Sequence, residues 1–468
     1  MMPNCLTTPM QIQKLKDVGL FRSSLARRLA SGSAWSLFAS VCGGGGNLLL
    51  FLLVARVLGK VHYGELVLLQ STLGTVGSVA GLGLGMTATR YAAHLSGRDN
   101  LRLARILVLC QYLIVGCSTV VVAALYLGAD ILARDVLNSP QLAVLIRIAA
   151  VGVLLTGLDG YQKSILIGFE DMRGFSKSTI YGTFAMFPVM LAGAYYWGVV
   201  GAALALTAGY ALQAAISRTA VMHALHNAKV SRRAPQPTKE LGVLWHFALP
   251  AFLAGIIVGP SHWAVQAMLT HRLDGLGEVA LYGIALQWIA MIVFVPAAVS
   301  RAIGPALISK VAARNRGHSG RILGYTIILN AAVTIPAATV IAFFSSDIIR
   351  LYGHTFVGAG EVIALAAVIG ALVGIQTPIG SLIAAVSRMW LGALMNVTWA
   401  CLYICIAFAL SSRGAIGALS ALLIAYVAHG IWSGWFAVSR LRKGSDWVDT
   451  IDSPSGWDDP RIDEGRLT

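Results

Sequence analysis

Apolar residues dominate the chain in long runs, and polar residues gather in short clusters between them. Each run is about 20 residues or longer, the length at which a helix crosses the hydrocarbon of a bilayer. The pattern predicts twelve transmembrane helices, at residues 34–58, 63–87, 104–127, 142–167, 177–196, 199–220, 245–269, 280–303, 322–344, 361–385, 391–410 and 415–437. Residues 11–30 read differently: Ile12, Leu15, Val18, Leu25 and Leu29 recur at helical spacing among Lys14, Lys16, Arg22, Arg27 and Arg28. That predicts an amphipathic helix lying on an anionic leaflet; a disordered basic tail is the competing reading. From residue 438 the chain is polar, with acidic residues from Asp446 to Glu464, and is expected to be a disordered tail.

The spans divide evenly about residues 221–244, which hold Arg232, Arg233, Pro235 and Pro237 and read as a cytoplasmic linker. The expected organisation is therefore a basic N-terminus (1–32), a first lobe (33–220), the linker, a second lobe (245–437) and the acidic tail (438–468). The lobes share a weak repeat at an offset of 216 residues: Arg56 and Gly59 match Arg272 and Gly275, Arg105-Ile106-Leu107 matches Arg321-Ile322-Leu323, Gly198 and Gly201 match Gly414 and Gly417, and Tyr210 matches Tyr426. Tyr63-Gly64 matches Tyr282-Gly283 at an offset of 219. Six helices per lobe make this a parallel repeat about an axis along the membrane normal, and transporters bind at the interface of such repeats.

Charge sets the orientation. With both termini inside, the inner segments hold 28 of the 35 Lys and Arg residues, which the positive-inside rule assigns to the cytoplasm. The same clustering argues against nucleic acid as the partner of a chain with net charge +15. Composition agrees: the chain is 57% hydrophobic and 12% charged, with mean hydropathy +0.74, against about 25% charged residues in soluble domains. Its 50 glycines suit close helix packing in lipid. The six cysteines form no CxxC pair, so neither a disulfide framework nor a metal site is expected. The first apolar run is longer than a signal-peptide core, so it is expected to stay as a membrane helix.

No P-loop, HExxH or GxSxG sequence is present, the histidines are scattered, and the outer loops are short. Neither enzymatic chemistry nor a cofactor is expected. What remains is polar groups at membrane depth, where a centred charge costs between about 3 and 15 kcal/mol. Asp159 and Lys163 stand four residues apart in the fourth span, either an ion-coupling carboxylate with its partner or a self-neutralised pair. Arg90 and Arg301 close the second and eighth spans, and either line an inward-facing vestibule or snorkel to the headgroups. Arg56, at the outer end of the first span, reads as an interfacial anchor or a cavity residue. His262 and Gln266 share a face of the seventh span and are candidates for cavity lining. More buried cations than acids suggest an anionic substrate.

Ala55-Arg56-Val57-Leu58-Gly59, followed by Tyr63-Gly64-Glu65-Leu66, resembles the first hairpin of the polysaccharide transporter family, which includes O-antigen and exopolysaccharide flippases. Its superfamily also holds lipid II flippases and multidrug and toxin extrusion antiporters. Gly81-Leu82-Gly83-Leu84-Gly85 with Thr89-Arg90-Tyr91, Gly168-Phe169-Glu170-Asp171-Met172-Arg173, Gly198-Val199-Val200-Gly201-Ala202, and Ile349-Arg350-Leu351-Tyr352-Gly353 with Phe356 are similar to later loops of the same family. The resemblance spans about residues 20–440. It implies an all-α bundle of two six-helix lobes, alternating access, and a basic cavity, a role carried to Arg90 and Arg301. The implied substrate is an undecaprenyl-pyrophosphate-linked oligosaccharide crossing the bacterial inner membrane. The implied partners are the polymerase and chain-length regulator of the same pathway. An ion-coupled multidrug-type antiporter of the same fold and a membrane polysaccharide polymerase or ligase are the alternatives.

Overall fold

In a computed structural model, the backbone of residues 9–81, 83–231, 233–242, 256–312, 316–385 and 389–442 is described, and it is almost wholly helical. Thirteen α-helices follow in order: α1 (Pro9–Gly81), α2 (Leu84–Leu95), α3 (Asn100–Ile131), α4 (Leu142–Ala149), α5 (Val151–Gly168), α6 (Met172–Asn227), α7 (Val258–Thr270), α8 (Gly275–Ala312), α9 (Arg316–Phe343), α10 (Ser345–Leu351), α11 (Gly360–Ala385), α12 (Met389–Ala409) and α13 (Gly414–Arg442). Among the described residues eight helices are long and apolar enough to cross a membrane, and α4 with α5, meeting at 41°, make a further bent crossing.

Two of the eight are too long for one crossing and are broken inside. Cys42–Gly81 has 40 residues and Met172–Asn227 has 56; at about 1.5 Å per residue each far exceeds the ~30 Å of bilayer hydrocarbon. Each is broken by a glycine, Gly59 (φ 74°) and Gly198 (φ 59°), in a backbone region that side chains disfavour. In α6 the chain folds back on itself: a Cβ on Gly193 would strike the Gly201 carbonyl, and one on Gly182 would meet Gln213. The seventh expected span falls partly on residues outside those described, and α7 is its second half.

Two boundaries differ from the sequence reading. The second span, expected as one helix over 63–87, ends at Gly81, and Gly83 adopts a left-handed conformation (φ 68°) before α2 begins. Arg90 therefore sits inside a separate short helix rather than at the end of a span. The expected linker 221–244 begins later, because α6 continues to Asn227. Its last turns stay helical because Val221, Ala224 and Leu225 are buried against α2, α3 and α5. The linker itself is pinned to α3: Asn100 Nδ2 donates to the Ala228 carbonyl (3.0 Å), Arg105 Nε to the Pro235 carbonyl (3.2 Å), and Arg102 pairs with Glu240 (3.4 Å). Residues 11–30 are helical in backbone within α1, but their side chains, like the tail from residue 443, lie outside the described residues.

The helices sort into two lobes. In the first, α6 packs on α1 and α5, and α2 on α5; in the second, α11 packs on α8, α9 and α13, and α12 on α13. The lobes touch chiefly through α1 against α7 and α8. The repeat is visible in the backbone: Gly198 and Gly414 share φ 59° with ψ −141° and −140°. Three residues on, a Cβ on Gly201 or Gly417 would meet a carbonyl oxygen of the preceding helix at 2.1 Å in both cases. Tyr63 and Tyr282, the other matched pair, are both fully buried.

Large apolar residues cover the outside, among them Leu127, Tyr195, Phe343 and Trp435. Around the Gly198 turn Tyr195, Tyr196 and Trp197 form an exposed aromatic group, as expected where a helix end meets the headgroups.

Candidate functional site

Glycine sets the distance between the lobes. Past its break, α1 presents Tyr63, Gly64, Val67, Ser71 and Thr72 on one helical stripe (i, i+1, i+4, i+8, i+9) to the second lobe. Without a side chain at Gly64, the backbone of α1 lies directly on the first turn of α8, so that a Cβ there would be 1.8 Å from the Leu276 carbonyl oxygen. Gly283 receives Val67 in return, with a Cβ falling 2.5 Å from the valine methyl. The repeated Tyr-Gly pairs are thus the two reciprocal points of closest approach. Small residues serve this role in membrane helices because lipid gives no hydrophobic drive for association and only close packing holds them.

Polar bonds follow the same seam. Lys60 Nζ lies 2.7 Å from Asp274 and 4.0 Å from Glu278, and the Lys60 amide donates to Thr355 Oγ1 at 3.2 Å. Glu278 also accepts from the Ala415 amide at 2.6 Å, where the positive end of α13 favours a carboxylate. Deeper along α1, Gln287 Nε2 donates to the Tyr63 hydroxyl (2.9 Å), Ser71 Oγ to Gln266 Oε1 (2.6 Å), and Trp263 Nε1 to Thr72 Oγ1 (3.0 Å). From Lys60 to Thr72 the seam spans about 18 Å at the helical rise of ~1.5 Å per residue.

Beyond that depth the described residues of the two lobes form separate interiors. At the end where Gly59, Gly198 and Gly414 turn the chain, a single buried apolar cluster runs through both lobes, from Leu50 to Ala425. At the opposite end, which carries the linker, there are two among the described residues: Leu84 to Val230 in the first lobe, and Leu323 to Ala437 in the second. Among the described residues the lobes are thus joined at one end and independently cored at the other. Such a frame can rock about its seam and expose its centre to one side at a time.

The candidate residues fall at different places in this frame. Gln266 is buried on the seam, bonded to Ser71 of the other lobe. His262, one turn away, instead turns into the second lobe: its Nδ1 lies 2.6 Å from the Tyr282 hydroxyl, and its ring packs against Trp399 and Tyr403. Tyr282 and Tyr403 bond through their hydroxyls, and Trp399 stacks on Tyr403 and leans on Tyr426. The pair that shares a face in sequence thus faces two partners, one in each lobe. Arg56 is exposed at the joined end, beside Gly353. Arg90 is half-buried on α2, its guanidinium 5.9 Å from the Tyr91 ring centroid. It lies with Met86 and His94 on the face turned away from Gly85, Thr89 and Ala92, which pack on the end of α5. Arg301 falls within α8, but its side chain lies outside the described residues.

Asp159 and Lys163 do meet. Lys163 Nζ donates to Asp159 Oδ2 (2.8 Å), and Ser217 Oγ of α6 donates to Oδ1 (2.6 Å). Both side chains are largely buried, 15% and 17% exposed. Removing one member of a buried pair leaves an uncompensated charge, a loss of about 3 kcal/mol or more. Asp159→Ala is therefore expected to lower the unfolding temperature of purified protein more than the double variant Asp159→Ala/Lys163→Ala does; additive losses in the double-mutant cycle would contradict the pair.

Sequence reasoning missed Lys60, Asp274 and Glu278. Lys60 and Asp274 are 214 residues apart, a separation at which no local spacing signals a contact. The one available hint was the pairing of Gly59 with Gly275 in the repeat, which puts both charged residues beside equivalent turns.

Comparison with known proteins fits this architecture. The chain is 26% identical over 397 residues to the EPS I polysaccharide export inner membrane protein EpsE of Ralstonia nicotianae, covering 81% of this chain and 86% of that one. It is 24% identical over 449 residues to the lipopolysaccharide biosynthesis protein WzxC of Escherichia coli K12, covering 92% and 84%. A solved multidrug resistance MATE family transporter of the MOP superfamily, in an inward-facing conformation, shares the fold at a TM-score of 0.72 and 16% identity, covering 88% of this chain and 99% of that one. The sequence profile of one family, described as polysaccharide biosynthesis protein, matches residues 29–311. That stretch contains both sides of the seam, Lys60 and Gly64 as well as Gln266, Asp274 and Gly283, and by it the chain belongs to the polysaccharide biosynthesis protein family.

Proposed function

We propose that this protein flips a lipid-linked oligosaccharide, carried on undecaprenyl pyrophosphate, from the cytoplasmic to the outer leaflet of the bacterial inner membrane by alternating access. More coarsely, it is a multi-pass inner-membrane transporter in polysaccharide export and biosynthesis, and not an enzyme, in line with its relatives. The observation that carries the mechanism is the division of the interior among the described residues: one shared core at the seam, two separate cores at the linker end. The excess of Lys and Arg at the linker end supports a cytoplasmic placement of that end; in this reading the lobes part toward the leaflet on which the repeat unit is built.

Flipping needs no covalent step. The barrier is the cost of taking sugars and phosphates through hydrocarbon, and a polar path between lobes lowers it. Ser71, Gln266, Thr72 and Trp263 put hydrogen-bonding groups at the inner limit of the seam. These bonds exchange for bonds to sugar hydroxyls as the lobes part. Arg90, with Arg301, supplies the charge-assisted bonds that hold a diphosphate. Asp159, fixed by Lys163 and Ser217 in the first lobe, is the candidate ion-coupling group.

Arg90→Ala is expected to cut glycan export by roughly ten- to a hundredfold at unchanged membrane expression, the loss of one charge-assisted hydrogen bond of about 1.5–3 kcal/mol, with Arg90→Lys retaining part. Wild-type export in the Arg90→Ala strain removes this residue from the mechanism. In proteoliposomes, the purified chain should make a labelled prenyl-diphosphate oligosaccharide accessible to a glycosidase added outside. Ion-driven efflux of a lipophilic cation, without movement of the oligosaccharide, would support the multidrug-antiporter reading instead.

A further inference from the structure

A charged recess lies on the outside of the first lobe. It is a groove of about 690 Å³ at the linker end, between the two halves of α6 and the loops before α3 and α6. Arg173, Lys177 and Tyr181, each four residues after the last, form one wall; Thr219, His223 and Asn227, likewise spaced by four, form the other. The face is turned away from α1, since Thr179 and Thr183 are the residues of this helix that meet Gly43 and Gly46 of α1.

Arg173, Lys177 and His223 are all exposed, and the pocket's acid, Asp171, is engaged in capping α6 by accepting from the Gly174 amide at 2.9 Å. The groove therefore offers two fixed cations, an imidazole, and the hydroxyl and amide of Thr219 and Asn227. One turn deeper, Tyr181 (60% exposed) and Ile216 replace the charges, and Phe184 (53% exposed) continues the same face toward mid-membrane. Polar at the interface and apolar below it, the groove has the profile of a lipid rather than of a soluble anion. A soluble anion would gain nothing from the apolar floor, whereas an acyl chain buries against it.

We propose that this groove is a binding site for the phosphate headgroup of an anionic membrane lipid, with Arg173 and Lys177 holding the phosphate and the acyl chain running over Ile216 and Tyr181. A lipid bound there bridges the two halves of the α6 hairpin at its open end, opposite the Gly198 turn, and clamps the first lobe to the leaflet surface while the lobes move. The site is separate from the inter-lobe seam and does not depend on what the protein carries.

The test is a native mass-spectrometry titration of the full-length protein in detergent with phosphatidylglycerol, with phosphatidylcholine of the same chains as comparison. Wild type is expected to retain phosphatidylglycerol selectively. Arg173→Ala/Lys177→Ala should bind it about thirtyfold more weakly, the effect of two basic residues near a lipid surface. Arg218→Ala/Arg233→Ala, which removes the same charge from exposed positions outside the groove lining, should change it less than about threefold; an equal loss in that control would reduce the effect to general electrostatics. Undiminished binding in the Arg173/Lys177 variant, or equal affinity for phosphatidylcholine in wild type, overturns the proposal. Displacement of the lipid by equimolar inorganic diphosphate overturns the lipid assignment in favour of a soluble anion.

Discussion

Gly64→Ala is expected to abolish polysaccharide export while leaving the protein in the membrane at wild-type level. The smallest possible side chain is enough, because what it would strike is the Leu276 carbonyl, 1.8 Å from the Cβ position. A backbone group on the first turn of α8 has no rotamer to adopt, so the helices must separate by more than an ångström. Interiors are close-packed and yield little to such changes. The separation breaks the bonds from Lys60 to Asp274 and from Ser71 to Gln266 together, and the joined end can no longer close. The lobes themselves are untouched, since Gly64 packs across the seam rather than within its own lobe. Gly283→Ala is expected to be milder, because its obstacle is the Val67 side chain at 2.5 Å; Gly283→Ala/Val67→Ala should recover much of the loss, and no such second-site change should rescue Gly64→Ala. The check is export in a deletion strain, paired with labelling of a single cysteine at Thr75, just past the seam. A membrane-impermeant maleimide added from the joined end should react in the Gly64→Ala background and not in the wild-type one.

Lys60→Glu has the second-largest expected effect, a loss of export of about tenfold or more. It places a third carboxylate beside Asp274 and Glu278, at a point 2.7 Å from the first. Lys60→Ala should cost far less. The Lys60 and Asp274 side chains are 21% and 49% exposed, and exposed pairs contribute only about 0.2–1 kcal/mol. The effect of reversal is repulsion rather than a lost bond, so salt should blunt it. Asp274→Asn in the Lys60→Glu background should recover part of the export. Asn suits the site because residue 274 has φ 55°, a left-handed conformation Asn tolerates. Export in Lys60→Glu equal to wild type would remove this cluster from the gate.

Much of this architecture was legible along the chain, because lipid forces apolar runs and local spacing suffices to find them. The turn glycines were legible too. Gly198 and Gly414 matched at a fixed offset, and they share one backbone conformation that only glycine adopts easily. The Tyr-Gly pairs stood out for the same reason, although sequence alone did not say that Gly64 and Gly283 are where the lobes touch. Bends were less visible: three glycines at 81, 83 and 85 read as part of a span, yet Gly83 ends one helix and frees α2, with Arg90, from it. The end of α6 was misplaced because burial of Val221, Ala224 and Leu225 by α2, α3 and α5 depends on neighbours distant in sequence. The Asp159–Lys163 pair was found because four residues is a helical spacing, whereas its third member, Ser217, lies 58 residues away. The Lys60–Asp274–Glu278 cluster and the split roles of His262 and Gln266 belong to tertiary geometry, which periodicity does not encode.

The central claim is that the protein carries a lipid-linked glycan across the bilayer, and leaflet assignment of lipid-linked repeat units in cells depleted of it tests this most directly. The account predicts that the units accumulate on the cytoplasmic leaflet, that wild type clears them, and that Gly64→Ala and Arg90→Ala do not at equal expression. A normal distribution between leaflets in the depleted cells would contradict it.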